Sequence, residues 1–281
     1  MSGMITGKAK VAGIMGWPVG HSKSPRLHGY WLEKHGVDGA YIPLPVRPDD
    51  LEQALRALPV LGLAGCNLTI PHKEKALAVV DRLDAVARRI GAVNTVVVNA
   101  DGSLEGRNTD SPGFLANLKA DGRWLPDTGP AVVLGAGGAA RAVLVALIDA
   151  GVPDILLTNR TQERAEALAD EFGRPVRAIA WAERESALAG AALLVNTTSL
   201  GMTGKPALDL RLDDLPDHAL VNDIVYAPLE TPLLAAARAR GLAIVDGLGM
   251  LLHQGAPAFE AWFGLMPVVD DALRAHVLAA A

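Results

Sequence analysis

Sulfur chemistry is almost missing from this chain, which has a single cysteine, Cys66, among 281 residues. That excludes an intrachain disulfide framework and any multi-cysteine metal cluster, and it suits a reducing compartment. Excess positive charge is missing too. Lys and Arg number 26 against 31 Asp and Glu, a net −5, so nothing overall advertises nucleic acid or an anionic membrane as a partner. Any anion bound here must be held by local groups. No apolar run approaches the ~18 residues of a membrane span, and residues 1–10 lack the apolar stretch of a signal peptide. A soluble, cytoplasmic protein is expected. None of the 7 histidines falls into H-E-x-x-H or another recognisable ligand spacing, so His72 and His253 read as local hydrogen-bonding residues and no metal is implied. No G-x-S-x-G elbow occurs, which removes the usual frame for nucleophilic hydrolysis.

What is present is rhythm. Short apolar runs alternate with helical patterns almost throughout, the signature of an α/β fold with largely parallel sheets, and the length suits about two domains at roughly 150 residues each. In a first unit, strands are predicted at 11–15, 40–44, 65–70 and 93–99, with helices at 25–35, 49–58, 71–83 and 112–120. In a second, strands are predicted at 131–134, 155–158, 193–196, 219–225 and 243–245, with helices at 138–150, 162–172 and 232–240. Two apolar-rich helices close the chain.

The strongest local signal follows the apolar strand AVVL: Gly135-Ala136-Gly137-Gly138-Ala139-Ala140, running into the helical stretch AVLVALIDA. This is G-x-G-x-x-A between a strand and a helix. The first glycine permits the tight turn, the second lets backbone N–H groups approach a pyrophosphate, and the small third residue lets helix and strand pack closely. The helix N-terminus then faces the phosphates. The next strand ends in Thr158-Asn159-Arg160-Thr161-Gln162-Glu163-Arg164. NAD-binding units usually place an acidic residue there for the ribose 2′-OH. Here Arg160 offers a planar fork suited to a 2′-phosphate, and Asn159 and Thr161 add short polar contacts. Thr161 also suits a helix N-cap. NADP(H) is the expected cofactor.

The first unit carries different chemistry. Ser22-Lys23-Ser24-Pro25 opens a helix, with Ser24 a candidate N-cap. Two serine hydroxyls beside free backbone N–H groups suit a small carboxylate. In Asn67-Leu68-Thr69-Ile70-Pro71-His72-Lys73 a strand runs into a predicted helix whose first turn would hold Lys73. There the helix dipole disfavours a cation by roughly 0.3–1 kcal/mol, a broken local rule of the kind functional sites concentrate. A solvated lysine balanced by Glu74 is the plainer alternative. Asn94 and Asp110 also sit where strand-like runs meet turns, and Asp110 could simply be an N-cap. Brought together, Lys73 and Asp110 would form a proton-transfer and hydrogen-bonding dyad for a carbonyl or hydroxyl.

Along nearly its whole length the chain resembles the shikimate dehydrogenase family. The matching motifs are Ser22-Lys23-Ser24-Pro25, Asn67 through Lys73, Gly91-Ala92-Val93-Asn94-Thr95, Asn108-Thr109-Asp110, the Gly135 loop, Asn159-Arg160-Thr161, Asn196 through Met202, Asp223 through Pro228 and Gly249 through Gln254. Leu68 stands where that family more often has Val. The resemblance implies reversible NADPH-dependent reduction of 3-dehydroshikimate to shikimate, a step toward chorismate and the aromatic amino acids. It implies a two-domain α/β protein: an α/β substrate domain of residues 1–109 completed by helices in 248–281, and a Rossmann-type NADP-binding domain of residues 110–247. Monomer and homodimer both stay open. Ser22 and Ser24 would hold the substrate carboxylate, while Asn67, Thr69, Asn94, Tyr226 and Gln254 would position its ring and hydroxyls. Lys73 and Asp110 would be the catalytic pair. Gly135, Ala136, Gly137, Gly138, Ala139, Asn159, Arg160, Thr161, Arg164, Ile224 and Gly247 would hold the cofactor. Two rival readings are a dehydrogenase preferring quinate or NAD(H), and a non-catalytic sensor that binds a dinucleotide and a small acid.

Overall fold

The computed structural model describes residues 5–120 and 123–279. In chain order its elements begin with β1 (Lys10–Gly16), α1 (Ser24–Lys34), β2 (Gly39–Pro45), α2 (Leu51–Val60), β3 (Leu63–Leu68), β4 (Arg82–Leu83), α3 (Ala85–Ile90), β5 (Thr95–Val98), β6 (Leu104–Arg107) and α4 (Asp110–Lys119). They continue with β7 (Ala131–Leu134), α5 (Gly138–Ala150), β8 (Ile155–Thr158), α6 (Gln162–Phe172), β9 (Val176–Ala178), β10 (Leu193–Asn196), β11 (Leu220–Asp223), α7 (Pro232–Ala239), β12 (Ala243–Val245), α8 (Gly247–Phe263) and α9 (Asp271–Leu278). The chain divides into two compact units, Met1–Gly113 with Leu251–Ala281, and Phe114–Met250. The divisions fall inside α4 and α8; the resemblance implies crossings near Asp110 and Gly247. Among the described residues no helix is long and apolar enough to cross a membrane.

The second unit is built on a six-stranded sheet of order β12-β11-β10-β7-β8-β9, parallel at every pairing. Its strands are apolar on both faces because helices cover both. Ala131 and Val133 of β7 join Val143, Leu144 and Leu147 of α5 in one core. Val132 and Leu134 join Leu233, Leu234 and Ala237 of α7 in the other. The strand order reverses between β7 and β10, and in such sheets ligands bind beyond the strand C-termini at that switch point. Gly135 and Thr197 leave the sheet side by side there, the Thr197 N–H and hydroxyl donating to Leu134 O at 2.8 and 2.7 Å.

The first unit has a sheet of order β2-β1-β3-β5-β6-β4, and it is mixed where a largely parallel one is predicted. β1 runs parallel to β2 and β3, but β5 is antiparallel to both β3 and β6. That inversion has a positional consequence. The C-terminal ends of β1, β3 and β6 and the N-terminal end of β5 lie at one edge, so the segments holding Ser22 and Ser24, Thr69 and Lys73, Asn94, and Asp110 emerge together. A bulge helps β3 fit: the register with β1 slips between Val11 and Ala12, at Gly65. Gly65 has φ +149°, and a Cβ there would lie 2.0 Å from Val96 O, so only glycine serves.

Residues 71–83 are not the predicted helix. They hold turns, one short 3₁₀ segment (Lys75–Ala78) and then β4. Ala76 and Val79 are drawn into the core, the Asp81 N–H donates to Leu104 O at 2.9 Å, and β4 pairs with β6, so tertiary pairing overrides helix propensity. Lys73 therefore does not sit in an α-helical first turn, and the dipole penalty does not apply. Helix α3, capped by Asp84 through the Ala87 N–H and ended by Gly91 at φ 69°, is absent from the predicted elements, as are β4, β6 and β9. Ser24 is the first residue of α1, whose N-cap position belongs to Lys23 without a side-chain bond. Asp110 likewise opens α4, with its carboxylate turned elsewhere.

Candidate active site

Asp110 is buried, and the Lys73 amine donates to its Oδ2 at 2.5 Å with only 18% and 6% of the two side chains exposed. The backbone around both is tied down locally. The Val93 N–H donates to Lys73 O at 2.8 Å and the Leu68 N–H to Asn94 O at 2.8 Å, which stitches the end of β3 to the Gly91–Asn94 turn. Asn108 closes the other side, its Nδ2 donating to Ala92 O at 2.8 Å and its Oδ1 accepting from the Asp110 N–H at 3.0 Å. A charged pair held this way is short, directional and shielded from water, where electrostatic interactions are strongest.

Asn94 is the hub. Its Nδ2 donates to Asp110 Oδ1 at 2.8 Å and to Thr109 Oγ1 at 2.9 Å, with Gln254 Oε1 at 3.3 Å. Gln254 comes from α8 and lies over Gly113 of α4, where a Cβ would meet Gln254 N at 2.7 Å. Asn67 is buried and fully engaged: Nδ2 donates to Asn94 O at 3.1 Å and Thr95 Oγ1 at 3.0 Å, while Oδ1 accepts from the Tyr41 hydroxyl at 2.6 Å. Thr69 follows β3, its N–H donating to Met15 O at 2.9 Å. Ser22 and Ser24 stand at the start of α1, with the Ser24 N–H donating to Ser22 Oγ at 3.2 Å.

Behind these groups lies an aromatic floor. His28, wholly buried, stacks on Tyr41 with centroids 4.0 Å apart, and burial pushes it down to about 3. Among the described residues neither ring nitrogen makes a hydrogen bond of good geometry, and burial outweighs the weak pull of Asn67, so His28 is a neutral packing group. Burial pushes the Tyr41 phenol well up. Tyr41 is absent from the residues picked out in the sequence, and Thr95 stands there only as part of the Gly91–Thr95 motif, with no role; the one available hint for Tyr41 was that a buried phenol needs a partner.

In the second unit, Gly135 takes φ +108°, and a Cβ there would lie 2.6 Å from Thr197 Oγ1. Gly137 is the N-cap of α5 with no side-chain cap, and a Cβ on it would meet nothing within 4 Å. The first-turn N–H groups of α5, from Gly138 and Ala139 onward, have no helical acceptors, and no acidic residue lies in that turn. At the end of β8, Asn159 Nδ2 donates to Thr161 O at 2.9 Å. Thr161 occupies the N-cap of α6 without a side-chain bond. Arg160 and Arg164 are exposed beside it, and Arg160 makes no hydrogen bond or ion pair among the described residues. An open glycine turn, an unfilled helix N-terminus and a spare guanidinium fit a phosphorylated dinucleotide. Gly247 packs on Ile224, where a Cβ would lie 2.2 Å from Ile224 O. Asp223, pushed up by burial, accepts from Asn196 Nδ2 at 3.0 Å, the Val225 N–H at 3.0 Å and the Thr231 hydroxyl at 2.7 Å, which fixes the turn leading to Tyr226. Tyr226, Ile224, Gly247 and the Gly135 loop thus belong to the second unit, and the other candidate substrate residues to the first.

Three family models match the chain: the shikimate dehydrogenase substrate binding domain over residues 14–96, shikimate / quinate 5-dehydrogenase over 126–227, and the shikimate 5′-dehydrogenase C-terminal domain over 247–275. The shikimate dehydrogenase (NADP(+)) of Rhodospirillum rubrum is 65% identical over 280 residues, covering 98% of this chain and 99% of that one. The chain belongs to the shikimate dehydrogenase family. Among solved members of similar fold, the Thermus thermophilus shikimate 5-dehydrogenase in complex with NADP(H) and shikimate is 43% identical with a TM-score of 0.85, covering 95% of this chain and 98% of that one. The Corynebacterium glutamicum quinate dehydrogenase in complex with NAD is 33% identical with a TM-score of 0.88, covering 97% of this chain and 99% of that one. The solved relatives thus include a shikimate dehydrogenase in complex with NADP(H) and a quinate dehydrogenase in complex with NAD.

Proposed function

We propose that this chain is an NADP(H)-dependent shikimate dehydrogenase, reducing 3-dehydroshikimate to shikimate and running the reverse reaction, in the biosynthesis of chorismate and the aromatic amino acids. The observation that carries the reading is the buried Lys73–Asp110 pair at 2.5 Å at a sheet edge where the segments of Ser22, Ser24, Thr69 and Asn94 also emerge and where Gln254 of α8 meets Asn94. The first unit binds substrate, with Ser22 and Ser24 and the α1 N-terminus taking the carboxylate. The second unit binds NADP(H), with the Gly135 loop on the pyrophosphate and Arg160 on the 2′-phosphate. Bound NADPH supplies hydride to the ketone carbon. Negative charge then grows on the ketone oxygen, where Lys73 donates a hydrogen bond and then its proton. Asp110 keeps the ammonium aimed, Asn94 keeps Asp110 in place, and the partial exposure of Lys73 lets solvent reprotonate it. Asn67, with both amide hydrogens engaged by protein, can offer substrate only its oxygen as an acceptor, and Tyr226 is a further proposed substrate contact. The reading puts the reaction in the cytoplasm, which the chain's single cysteine supports.

Parallel assays of shikimate and quinate oxidation with NADP+ and NAD+ test the reading. Shikimate with NADP+ should give the highest kcat/KM. Turnover favouring quinate with NAD+ would keep the fold and overturn the assignment, and binding without turnover would leave a sensor.

A further inference from the structure

Resting on that reading, we infer that Tyr41 and Thr95 are positioning residues for the Lys73–Asp110 pair, the start and middle of a one-way hydrogen-bond chain that ends on the Asp110 carboxylate. The direction of every link is fixed by groups that can act in only one sense. The Asn94 backbone carbonyl can only accept, so the Asn67 group 3.1 Å from it is the amide NH₂. That same NH₂ donates to Thr95 Oγ1 at 3.0 Å, which leaves the Asn67 oxygen to accept from the Tyr41 hydroxyl at 2.6 Å. At the other end, the Thr109 backbone N–H can only donate, so the Asn94 atom 2.9 Å from it is the amide oxygen. Thr95 must then turn its hydroxyl hydrogen to that oxygen, at 2.9 Å, and the Asn94 NH₂ faces Asp110 Oδ1 at 2.8 Å.

Each donor therefore points the same way: Tyr41 to Asn67, Asn67 to Thr95, Thr95 to Asn94, Asn94 to Asp110. All five residues are buried, and Thr95 is at 0% exposure. Aligned donors in a dry interior polarise one another, and here the polarity ends on the oxygen beside the one that accepts from Lys73. The chain also runs from an edge strand, β2, through β3 and β5 to α4, so it fixes the carboxylate against the first unit's sheet rather than against its own loop alone. A fully satisfied buried network of this kind has one arrangement, and breaking a single hydroxyl frees the two amides on either side of it.

The test is Thr95→Val, nearly the same shape without the hydroxyl, beside Thr95→Ser, which restores it, and Tyr41→Phe, which keeps the ring on His28. Wild type is assayed first: if it does not turn over shikimate with NADP+, the functional reading fails independently of the chain. With that activity present, Thr95→Val should lower kcat by about 10- to 100-fold, the scale on which a small misplacement acts, with KM for NADP+ unchanged. Thr95→Ser should recover to within about 3-fold, and Tyr41→Phe, farther from the carboxylate, should lose less than Thr95→Val. Rates are referred to folded protein by circular dichroism. Should Thr95→Val not fold, Tyr41→Phe alone decides, a drop in kcat of about 3-fold or more being required. Folded variants with wild-type kcat and only a lower melting temperature would make Tyr41 and Thr95 structural and overturn the inference.

Discussion

Replacing Lys73 by methionine isolates the amine from its stem, because methionine keeps an unbranched apolar side chain of similar length. In the wild type the Lys73 amine reaches Asp110 Oδ2 at 2.5 Å, and Asn94 Nδ2 holds Oδ1 at 2.8 Å. Lys73→Met removes the first contact and leaves the second. A hydrogen bond to a charged group is worth about 1.5–3 kcal/mol, and because the change leaves the Asp110 carboxylate, 6% exposed, without its cation, the loss in folding stability should reach the upper figure. The catalytic loss should be larger. Proton donation by a positioned group contributes about 10²–10⁴ in rate, which at about 1.36 kcal/mol per decade is roughly 2.7–5.4 kcal/mol of transition-state stabilisation. The assay is the loss of NADPH absorbance at saturating 3-dehydroshikimate, with thermal melts on the same preparation. The expected pattern is a kcat reduced by about two to four decades and a much smaller rise in KM. The double variant with Asp110→Asn should be little slower than the worse single one, because groups acting as a unit do not add. A folded Lys73→Met enzyme within about 3-fold of wild-type kcat would refute a role for this amine in the chemical step.

Arg160→Ala should raise KM for NADPH and narrow its advantage over NADH by about 10- to 100-fold, the loss of one strong charged hydrogen bond; an unchanged preference in paired kinetics would remove Arg160 from the 2′-phosphate. Gly135→Ala puts a side chain on a residue at φ +108° and 2.6 Å from Thr197 Oγ1, so melting should report a loss of at least about 1–3 kcal/mol, together with weaker NADPH binding. His28, pushed from 6.5 down to about 3 by burial, is neutral in the fold and protonates in the unfolded chain. Stability should therefore be full above about pH 6.5 and fall with acidification toward about pH 3, by up to ~1.4 kcal/mol per pH unit from this group. His28→Phe should flatten that part of the slope in urea titrations, and parallel pH profiles for wild type and variant would sink the assignment.

The second unit was legible because its rules are local. Helices α5 and α6 begin and end where glycines, Gln162 and Phe172 placed them, and the strand between them needed only its apolar run. The first unit was legible as motifs and much less so as structure. Nothing short-range in residues 71–83 announces that Val79 and Ala76 are core and that Arg82 and Leu83 pair with β6. The mixed sheet followed from the same blind spot, since β6 is four residues of modest strand character, LEGR. Yet that antiparallel turn of the sheet is what carries Asp110, 37 residues from Lys73, to the amine. The signal for α3 was available in Asp84 and Gly91, a cap and a stop around a short apolar stretch. The pairing of Tyr41 with Asn67 was not, because spacing along a chain says nothing about which buried polar groups meet across strands.

Cys66 sits at 0% exposure on β3, and burial pushes its thiol up, away from the reactive thiolate. For labelling chemistry the folded molecule is therefore effectively blank. A cysteine introduced at an outlying position such as Val60, 85% exposed at the end of α2, would be the thiol that maleimide dyes or spin probes find under native conditions, without first removing the natural one.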